Sequence, residues 1–285
     1  MIVIAHRGAS CYAPENTIPA FVAARECGAT MVELDVRQTA DGAFVAMHDA
    51  SLRRTTDVCR VFPDRRPWRV GDFTLAEIRR LDAGSWFGTR FQGERVPTVQ
   101  EALGVLRHNR LRALVELKAE RPDPTLPTRL ARCLRSDPYW GEESGRLVVQ
   151  SFHRGAVRQL ARLVPEAHFA VLAPTYGAFA LAQVAEYAKF INPHFLRVRP
   201  SLVRYAHSLG LEIFGWTVNG PKATRRLVRS GVDGIITDFP DRVAMAVRTG
   251  WERRIRGTAF LTVRHDRTAG RMRTVPRSNR RTSNG

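Results

Sequence analysis

Short apolar runs and longer segments of helical spacing alternate along almost the whole chain. Eight of the runs have the length of a buried strand: Ile2–Ala5, Met31–Val36, Arg112–Lys118, Arg146–Ser151, Ala167–Leu172, Phe190–Asn192, Glu212–Trp216 and Gly234–Thr237. Eight segments of helical spacing follow them: Ile18–Cys27, Val99–Arg107, Leu126–Leu134, Ala156–Leu163, Ala178–Ala185, Pro200–Leu209, Lys222–Ser230 and Arg242–Arg248. Eight strand–helix units in about 250 residues predict an α/β fold, the TIM (β/α)8 barrel. A doubly wound open sheet is the alternative, but its usual Gly-rich first turn is absent.

Two stretches lie outside this alternation. A segment rich in Arg, Asp, Pro and Gly, residues 51–97, follows the second strand and contains one short helical pattern, Thr74–Leu81. Inserts of this size in barrels usually lie in the loops of the active-site face. We therefore expect a catalytic barrel domain over residues 1–250 with a small inserted subdomain. Residues 251–285 are basic and polar, and we expect them to form a disordered C-terminal tail.

The composition places the chain among globular proteins. It has 285 residues, 44% of them hydrophobic, which is enough to build a full core. No stretch reaches the roughly 18 uncharged apolar residues of a membrane span. The four cysteines are scattered, which indicates no disulfide framework. We expect a cytoplasmic protein without a transmembrane segment.

The formal charge of +18 is the other unusual property of the composition. Only three of the 45 basic residues are lysine, a bias typical of a GC-rich genome, so the arginine count is weak evidence for a nucleic-acid partner. A basic protein suits an anionic small molecule, an acidic membrane surface or a nucleic acid. The charge alone does not choose among these three.

Carboxylates stand at the ends of two apolar strands, where buried charge is unusual. Glu33 and Asp35 lie near the end of the second strand, and Glu116 near the end of the third, two residues before Lys118. Side chains two apart in a strand share a face, so all of these groups should meet at the barrel mouth. Three carboxylates in one place require a cation, and oxygen ligands favour Mg2+ or Ca2+. The alternative is that they form salt bridges with Arg7 and Lys118.

Two histidines follow apolar runs that would bring them to the same mouth. His6 closes the first strand, and His48 follows the run Phe44–Met47 and precedes Asp49. A phosphoryl displacement needs one group that accepts a proton and another that donates one, and two imidazoles can serve both purposes. Either histidine alone would more often be structural, but the pair beside an acidic cluster favours a catalytic role.

Taken in order, the polar segments of the chain resemble those of the glycerophosphodiester phosphodiesterase family. The resemblance covers roughly residues 2–248, and the ordered set of motifs is far more specific than any one of them. The matching segments are His6-Arg7-Gly8, Pro14-Glu15-Asn16-Thr17, Glu33-Leu34-Asp35-Val36, His48-Asp49, Leu52 to Thr56, Leu81 to Phe87, Pro97-Thr98, Glu116-Leu117-Lys118, Gln150-Ser151-Phe152, Trp216-Thr217-Val218-Asn219 and Gly231 to Asp241.

This resemblance implies hydrolysis of a glycerophosphodiester to sn-glycerol 3-phosphate and an alcohol. It implies one divalent cation, Mg2+ or Ca2+, bound by Glu33, Asp35 and Glu116. It also implies that His6 and His48 are the general acid and base. We favour His6 as the acid and His48 as the base, although the sequence does not decide between the two assignments.

Three further residues would contact the substrate if the resemblance holds. Arg7 would bind the phosphate through its guanidinium group, and Lys118 would add positive charge beside it. Trp216 would contact the glycerol or the alcohol, with packing at the barrel rim as an equally simple explanation.

Two other functions remain open at this point. A lysophospholipase D would act on lyso-lipids at a membrane surface, and the aromatic residues of the insert would then form an apolar lip. A protein of another class would bind nucleic acid or phosphodiesters through the arginine-rich tail, but only Trp251 and Phe260 are aromatic there and no nucleic-acid motif is present. We expect a small-molecule substrate, no specific nucleic acid and at most a weak membrane contact. The preferred alcohol and the oligomeric state are left open.

Overall fold

Eight parallel strands close into a barrel in the structure, a computed structural model that describes residues 1–118, 123–142 and 145–249. The ring order is β1-β9-β8-β7-β6-β5-β4-β2, and a β1–β2 pairing closes it. The predicted TIM barrel is therefore confirmed, and the open-sheet alternative is wrong. The strands of the sheet are β1 Ile2–His6, β2 Met31–Gln38, β3 Phe44–Ala46, β4 Arg112–Leu117, β5 Leu147–Ser151, β6 His168–Ala173, β7 Phe190–Pro193, β8 Glu212–Gly215 and β9 Gly234–Thr237.

Apolar side chains fill both faces of the strands, which explains why the strands read as continuous apolar runs. One set fills the barrel interior: Ile4, Met31, Leu114, Val148, Ala170, Phe190, Phe214 and Ile236. A larger set packs between the barrel wall and the surrounding helices. The polar residues at the strand ends therefore stand on a rigid, fully packed base.

The helices are α1 Ile18–Glu26, α2 Val58–Val61, α3 Leu75–Ile78, α4 Val99–His108, α5 Leu126–Leu134, α6 Tyr139–Glu142, α7 Arg154–Leu163, α8 Ala178–Ala185, α9 Pro200–Ser208 and α10 Pro221–Ser230. Residues 240–249 are also helical, and they include the last predicted helical segment, Arg242–Arg248. Thr17 stands at the N-cap position of α1, but its hydroxyl donates to the carbonyl of Pro14 and does not cap the helix.

The insert has a hydrophobic cluster of its own. Trp68 and Phe73 are buried in it, and Phe62 packs against it. These three aromatic residues therefore stabilise the subdomain and do not form an apolar lip, whereas Trp86 of the same insert is exposed. A capping box between Thr74 and Glu77 starts α3 within the predicted helical segment.

Strand β3 was not predicted. It pairs antiparallel with β2, with Val36 opposite Ala46, and leads the chain from the barrel into the insert. Its three residues are too few to show a periodicity, so only the tertiary pairing defines it. Because β3 returns alongside β2, the residues that follow it, including His48, lie beside the barrel mouth.

The predicted disordered tail, residues 251–285, lies outside the described residues. No helix within the described ranges is long and apolar enough to cross a membrane.

Candidate active site

The three predicted acidic residues meet at the carboxyl ends of β2 and β4. In the register of these strands Asp35 lies opposite Glu116, and His6 of β1 lies opposite Glu33. One carboxylate oxygen from each of Glu33, Asp35 and Glu116 lies within 4.8 Å of the others. All three residues are buried, so the barrel concentrates negative charge away from water.

Two cations lie directly against this acidic cluster. Lys118 Nζ lies 3.1 Å from Asp35 Oδ1 and also contacts Glu116, while Arg7 Nε lies 3.2 Å from Asp35 Oδ2. The salt bridges considered as an alternative are thus present around Asp35. Glu33 differs, because its Oε2 accepts from the backbone N–H of Arg7 at 2.9 Å while its Oε1 is buried without a hydrogen bond.

The pKa values of the cluster reflect this unequal pairing. Burial raises the pKa of Glu33 far above its ordinary value, and the charges of Asp35 and Glu116 raise it further. Burial also raises the pKa of Glu116, to about 7. Burial acts on Asp35 in the same direction, but Lys118 and Arg7 outweigh it and lower the pKa to about 2. The two cations therefore neutralise only part of the cluster.

His6 is held by a residue from the opposite end of the chain. Its Nδ1 donates to Oδ1 of Asp238 at 2.6 Å, just after β9. Asp238 also accepts hydrogen bonds from Ser10 Oγ at 3.1 Å and from Asn219 Nδ2 at 2.5 Å. Asp238 is thus a site residue that was not predicted from the sequence, although it stands in a family motif directly after a barrel strand.

His48 has a similar support. Its Nδ1 donates to Oδ1 of the adjacent Asp49 at 2.7 Å, and its carbonyl accepts from the Arg37 side chain at 2.9 and 2.7 Å. Burial lowers the pKa of His48, which favours the neutral imidazole at neutral pH. In both histidines a carboxylate binds Nδ1, so Nε2 is the nitrogen left to exchange a proton with a substrate.

The loop after β1 places Arg7 under this cluster. Arg7 and Asn16 both adopt left-handed backbone conformations, with φ of 58° and 57°. Asn16 donates through Nδ2 to Asp35 Oδ2 at 2.8 Å and accepts from the Asp35 backbone N–H at 3.2 Å. Glu15 accepts from Arg7 Nη1 at 2.9 Å. Glu15 and Asn16 thus contact two of the predicted site residues, Arg7 and Asp35.

Trp216 lies on another side of the mouth, directly after β8. Its ring packs edge-on against Phe152 at 5.7 Å and His194 at 5.3 Å, and its Nε1 donates to the carbonyl of Asn192. Phe152 is half exposed, so this aromatic group presents apolar surface at the rim. Below it, buried Asn192 donates to Gln150 at 2.6 Å.

The sequence and the fold both match known proteins. The profile of the glycerophosphoryl diester phosphodiesterase family matches residues 6–242. YhdW of Bacillus subtilis (strain 168) is 39% identical over 245 residues, 85% of this chain and 96% of that protein. A glycerophosphodiester phosphodiesterase of Caldanaerobacter subterraneus subsp. tengcongensis is 35% identical over 256 residues, covering 87% and 98% of the two chains. An Oleispira antarctica phosphodiesterase, solved in complex with the product sn-glycerol-3-phosphate, superposes with a TM-score of 0.76 at 28% identity and covers 87% of this chain and 97% of its own. The chain therefore belongs to the glycerophosphoryl diester phosphodiesterase family.

Proposed function

We propose that this phosphoric diester hydrolase cleaves glycerophosphodiesters to sn-glycerol 3-phosphate and an alcohol, with a divalent cation and two histidines. The observation that supports this most strongly is the buried cluster of Glu33, Asp35 and Glu116 beside two histidines, each bound to a carboxylate. Its relatives are named for the same reaction, and one was solved with its product.

The acidic cluster fits a hard divalent cation. Glu33 Oε1 is buried without a hydrogen bond, and it lies in the group of three carboxylates whose ligand oxygens are within 4.8 Å of one another. An all-oxygen donor set of this charge suits Mg2+ or Ca2+. When bound, such a cation neutralises charge on the nonbridging phosphate oxygens.

The two histidines carry the proton transfers. His48, with its pKa lowered by burial, would accept the proton of the attacking oxygen at Nε2. His6, held at Nδ1 by Asp238, would donate a proton from Nε2 to the leaving alcohol oxygen. After this transfer His48 carries a proton and His6 lacks one.

The attacking oxygen is the neighbouring hydroxyl of the substrate glycerol in the route that we favour. This hydroxyl forms a bond to phosphorus as the bond to the alcohol oxygen breaks, giving a cyclic phosphate. Water then opens the ring: His6 accepts a proton from the water, the bond between phosphorus and the glycerol oxygen that made the first attack breaks, and His48 returns its proton to that oxygen. This step yields glycerol 3-phosphate and restores both histidines. Rapid quenching of the reaction should capture the cyclic phosphate, and its absence at every time point would contradict this route.

The remaining site residues bind the substrate in this proposal. Arg7 and Lys118 bring two positive charges to the phosphate, and the planar guanidinium suits two phosphate oxygens. Trp216, together with the half-exposed Phe152, offers an apolar surface to the glycerol or to the alcohol.

A metal-reconstitution assay tests this function. The metal-free protein is given glycerophosphocholine or glycerophosphoethanolamine, and glycerol 3-phosphate is measured as Mg2+, Ca2+ or Mn2+ is added. We expect release that depends on the metal and is lost in Glu33→Ala. Release that continues in the presence of a chelator would remove the metal from the proposal, and no release with any metal or substrate would contradict the activity itself.

A further inference from the structure

Arg54, in the insert, connects the supports of two site residues. Its Nε and Nη2 donate to Asp49 Oδ2 and Oδ1 at 2.7 and 2.9 Å, and its Nη1 and Nη2 donate to Glu15 Oε2 and Oε1 at 2.8 and 2.7 Å. Asp49 in turn binds His48 Nδ1, and Glu15 binds Arg7 Nη1. One guanidinium thus makes four charge-assisted hydrogen bonds to the two carboxylates that hold the proposed base and the proposed phosphate ligand.

We propose that Arg54 is a positioning residue that sets the imidazole of His48 and the guanidinium of Arg7 in one fixed geometry. This inference rests on the proposed function and deepens it, because it assigns a role to a residue of the insert. The insert would then be part of the catalytic apparatus, although its hydrophobic cluster is separate from that of the barrel.

The geometry explains why arginine is needed at this position. A lysine ammonium is a single point charge and cannot present two parallel pairs of donors to two carboxylates. Without Arg54, Glu15 and Asp49 would repel each other. Glu15 is largely buried, with 13% of its side chain exposed, so its charge depends on nearby cations. Arg54 and Arg7 lower the pKa of Glu15 against the effect of burial, which acts in the opposite direction.

Mutant cycles on kcat test the inference. Glu15→Gln and Asp49→Asn preserve shape and remove one charge each. Because Arg54 links the two carboxylates, we expect the loss of kcat in the double variant to differ from the product of the two single losses by at least about threefold. In an Arg54→Ala background the loss of kcat in the double variant should equal that product. Arg54→Ala itself should lower kcat about 10- to 100-fold, as loss of a supporting residue around an active site usually does.

Two further variants separate positioning from folding. Arg53→Ala is the matched control, because Arg53 is exposed and is the neighbour of Arg54 in the same loop. It should keep the kcat and the melting temperature of the wild type. Arg54→Lys should fold but remain well below the wild type in kcat, since one ammonium cannot bridge both carboxylates.

The Nδ1–H proton resonance of His48 gives a readout that needs no turnover. Assigned by its loss in His48→Gln, it should be sharp and downfield in the wild type and in Arg53→Ala, and broadened or shifted in Arg54→Ala. If the wild type shows no turnover but Arg54→Ala still broadens or shifts the His48 resonance, the proposed function is contradicted while the positioning role of Arg54 is supported. If the wild type is active and Arg54→Ala changes neither its kcat nor the His48 resonance, the role of Arg54 is overturned. The same follows if the effects of Glu15→Gln and Asp49→Asn on kcat multiply both with and without Arg54.

Discussion

At the level of single residues, each candidate catalytic histidine depends on a carboxylate that fixes its ring. For His48 this carboxylate is the next residue, but for His6 it is Asp238, which is 232 positions away. The bond from His6 Nδ1 leaves Nε2 as the nitrogen that can face a substrate, so in the proposed mechanism the carboxylate would contribute to turnover without touching the substrate.

Replacement of Asp238 by Ala should therefore lower kcat about 10- to 100-fold, while His6→Ala should lower it at least about 100-fold. Combining the two changes should add little to His6→Ala alone, since Asp238 acts through the imidazole. Steady-state kinetics of the three variants check this. Ser10→Ala, which removes only one of the other donors to Asp238, is the control and should lower kcat only slightly. A double variant that is as slow as the product of both single effects would show that Asp238 acts independently of His6.

The acidic cluster could be predicted from the sequence because strand geometry is local. Glu33 and Asp35 share a face by the period of two, and parallel strands bring Glu116 to the same mouth. The partner of His6 could not be predicted in this way, because the contact depends on closure of the barrel between β1 and β9. Likewise, the bond of Asn16 to Asp35 depends on a left-handed backbone conformation that the sequence alone does not reveal.

At the level of elements, Asp82 organises the loop that completes the insert. Its carboxylate accepts from the backbone N–H groups of Gly84, Ser85 and Gly93, each at 2.8 Å, and from Ser85 Oγ. Burial acts to raise the pKa of Asp82, but these hydrogen bonds outweigh it and lower the pKa to about 2. One short side chain thus joins two ends of the loop.

Asp82→Ala should destabilise the protein by about 1–3 kcal/mol at pH 7, because three backbone donors lose their acceptor. Since the folded-state pKa lies below the ordinary value, this stabilisation is present above about pH 4 and is lost as the pH falls toward 2. Urea unfolding from pH 7 down to pH 3 should therefore show that the difference in the free energy of unfolding between wild type and Asp82→Ala becomes smaller as the pH falls. Asp64→Ala, at an exposed position of the same insert, is the control, and its free energy of unfolding should be almost that of the wild type. If the difference in the free energy of unfolding between wild type and Asp82→Ala stays constant across this pH range, the role of the ionised carboxylate is contradicted.

The barrel elements were more predictable than those of the insert for a physical reason. Each barrel strand is buried on both sides and most of the surrounding helices bury one apolar face, so local patterns report the tertiary environment. Outside the barrel, β3 has three residues and α2 has four, so neither completes a recognisable period, and only α3 lies in a predicted helical segment. Their positions come from packing around Trp68, Phe73 and their neighbours.

At the level of the whole molecule, the number of alternating units defined the fold better than any single segment did. Eight units predicted a closed barrel, and closure is what brings residues near both ends of the chain, such as His6 and Asp238, into one site. The formal charge of +18 belongs to the same scale, since it acts on an approaching ligand before any contact forms.

This charge predicts that the enzyme distinguishes substrates by their net charge at low salt. An anionic substrate such as glycerophosphoglycerol is attracted by the whole molecule, while zwitterionic glycerophosphocholine is not. Raising the ionic strength from about 10 to 200 mM shortens the screening length from roughly 30 Å to below 10 Å. We expect kcat/KM to fall at least about threefold for the anionic substrate and to change little for the zwitterion, at constant metal concentration. Equal salt dependence for both substrates would indicate that salt acts on the bound metal or on the local phosphate contacts with Arg7 and Lys118, and would contradict long-range attraction as the cause.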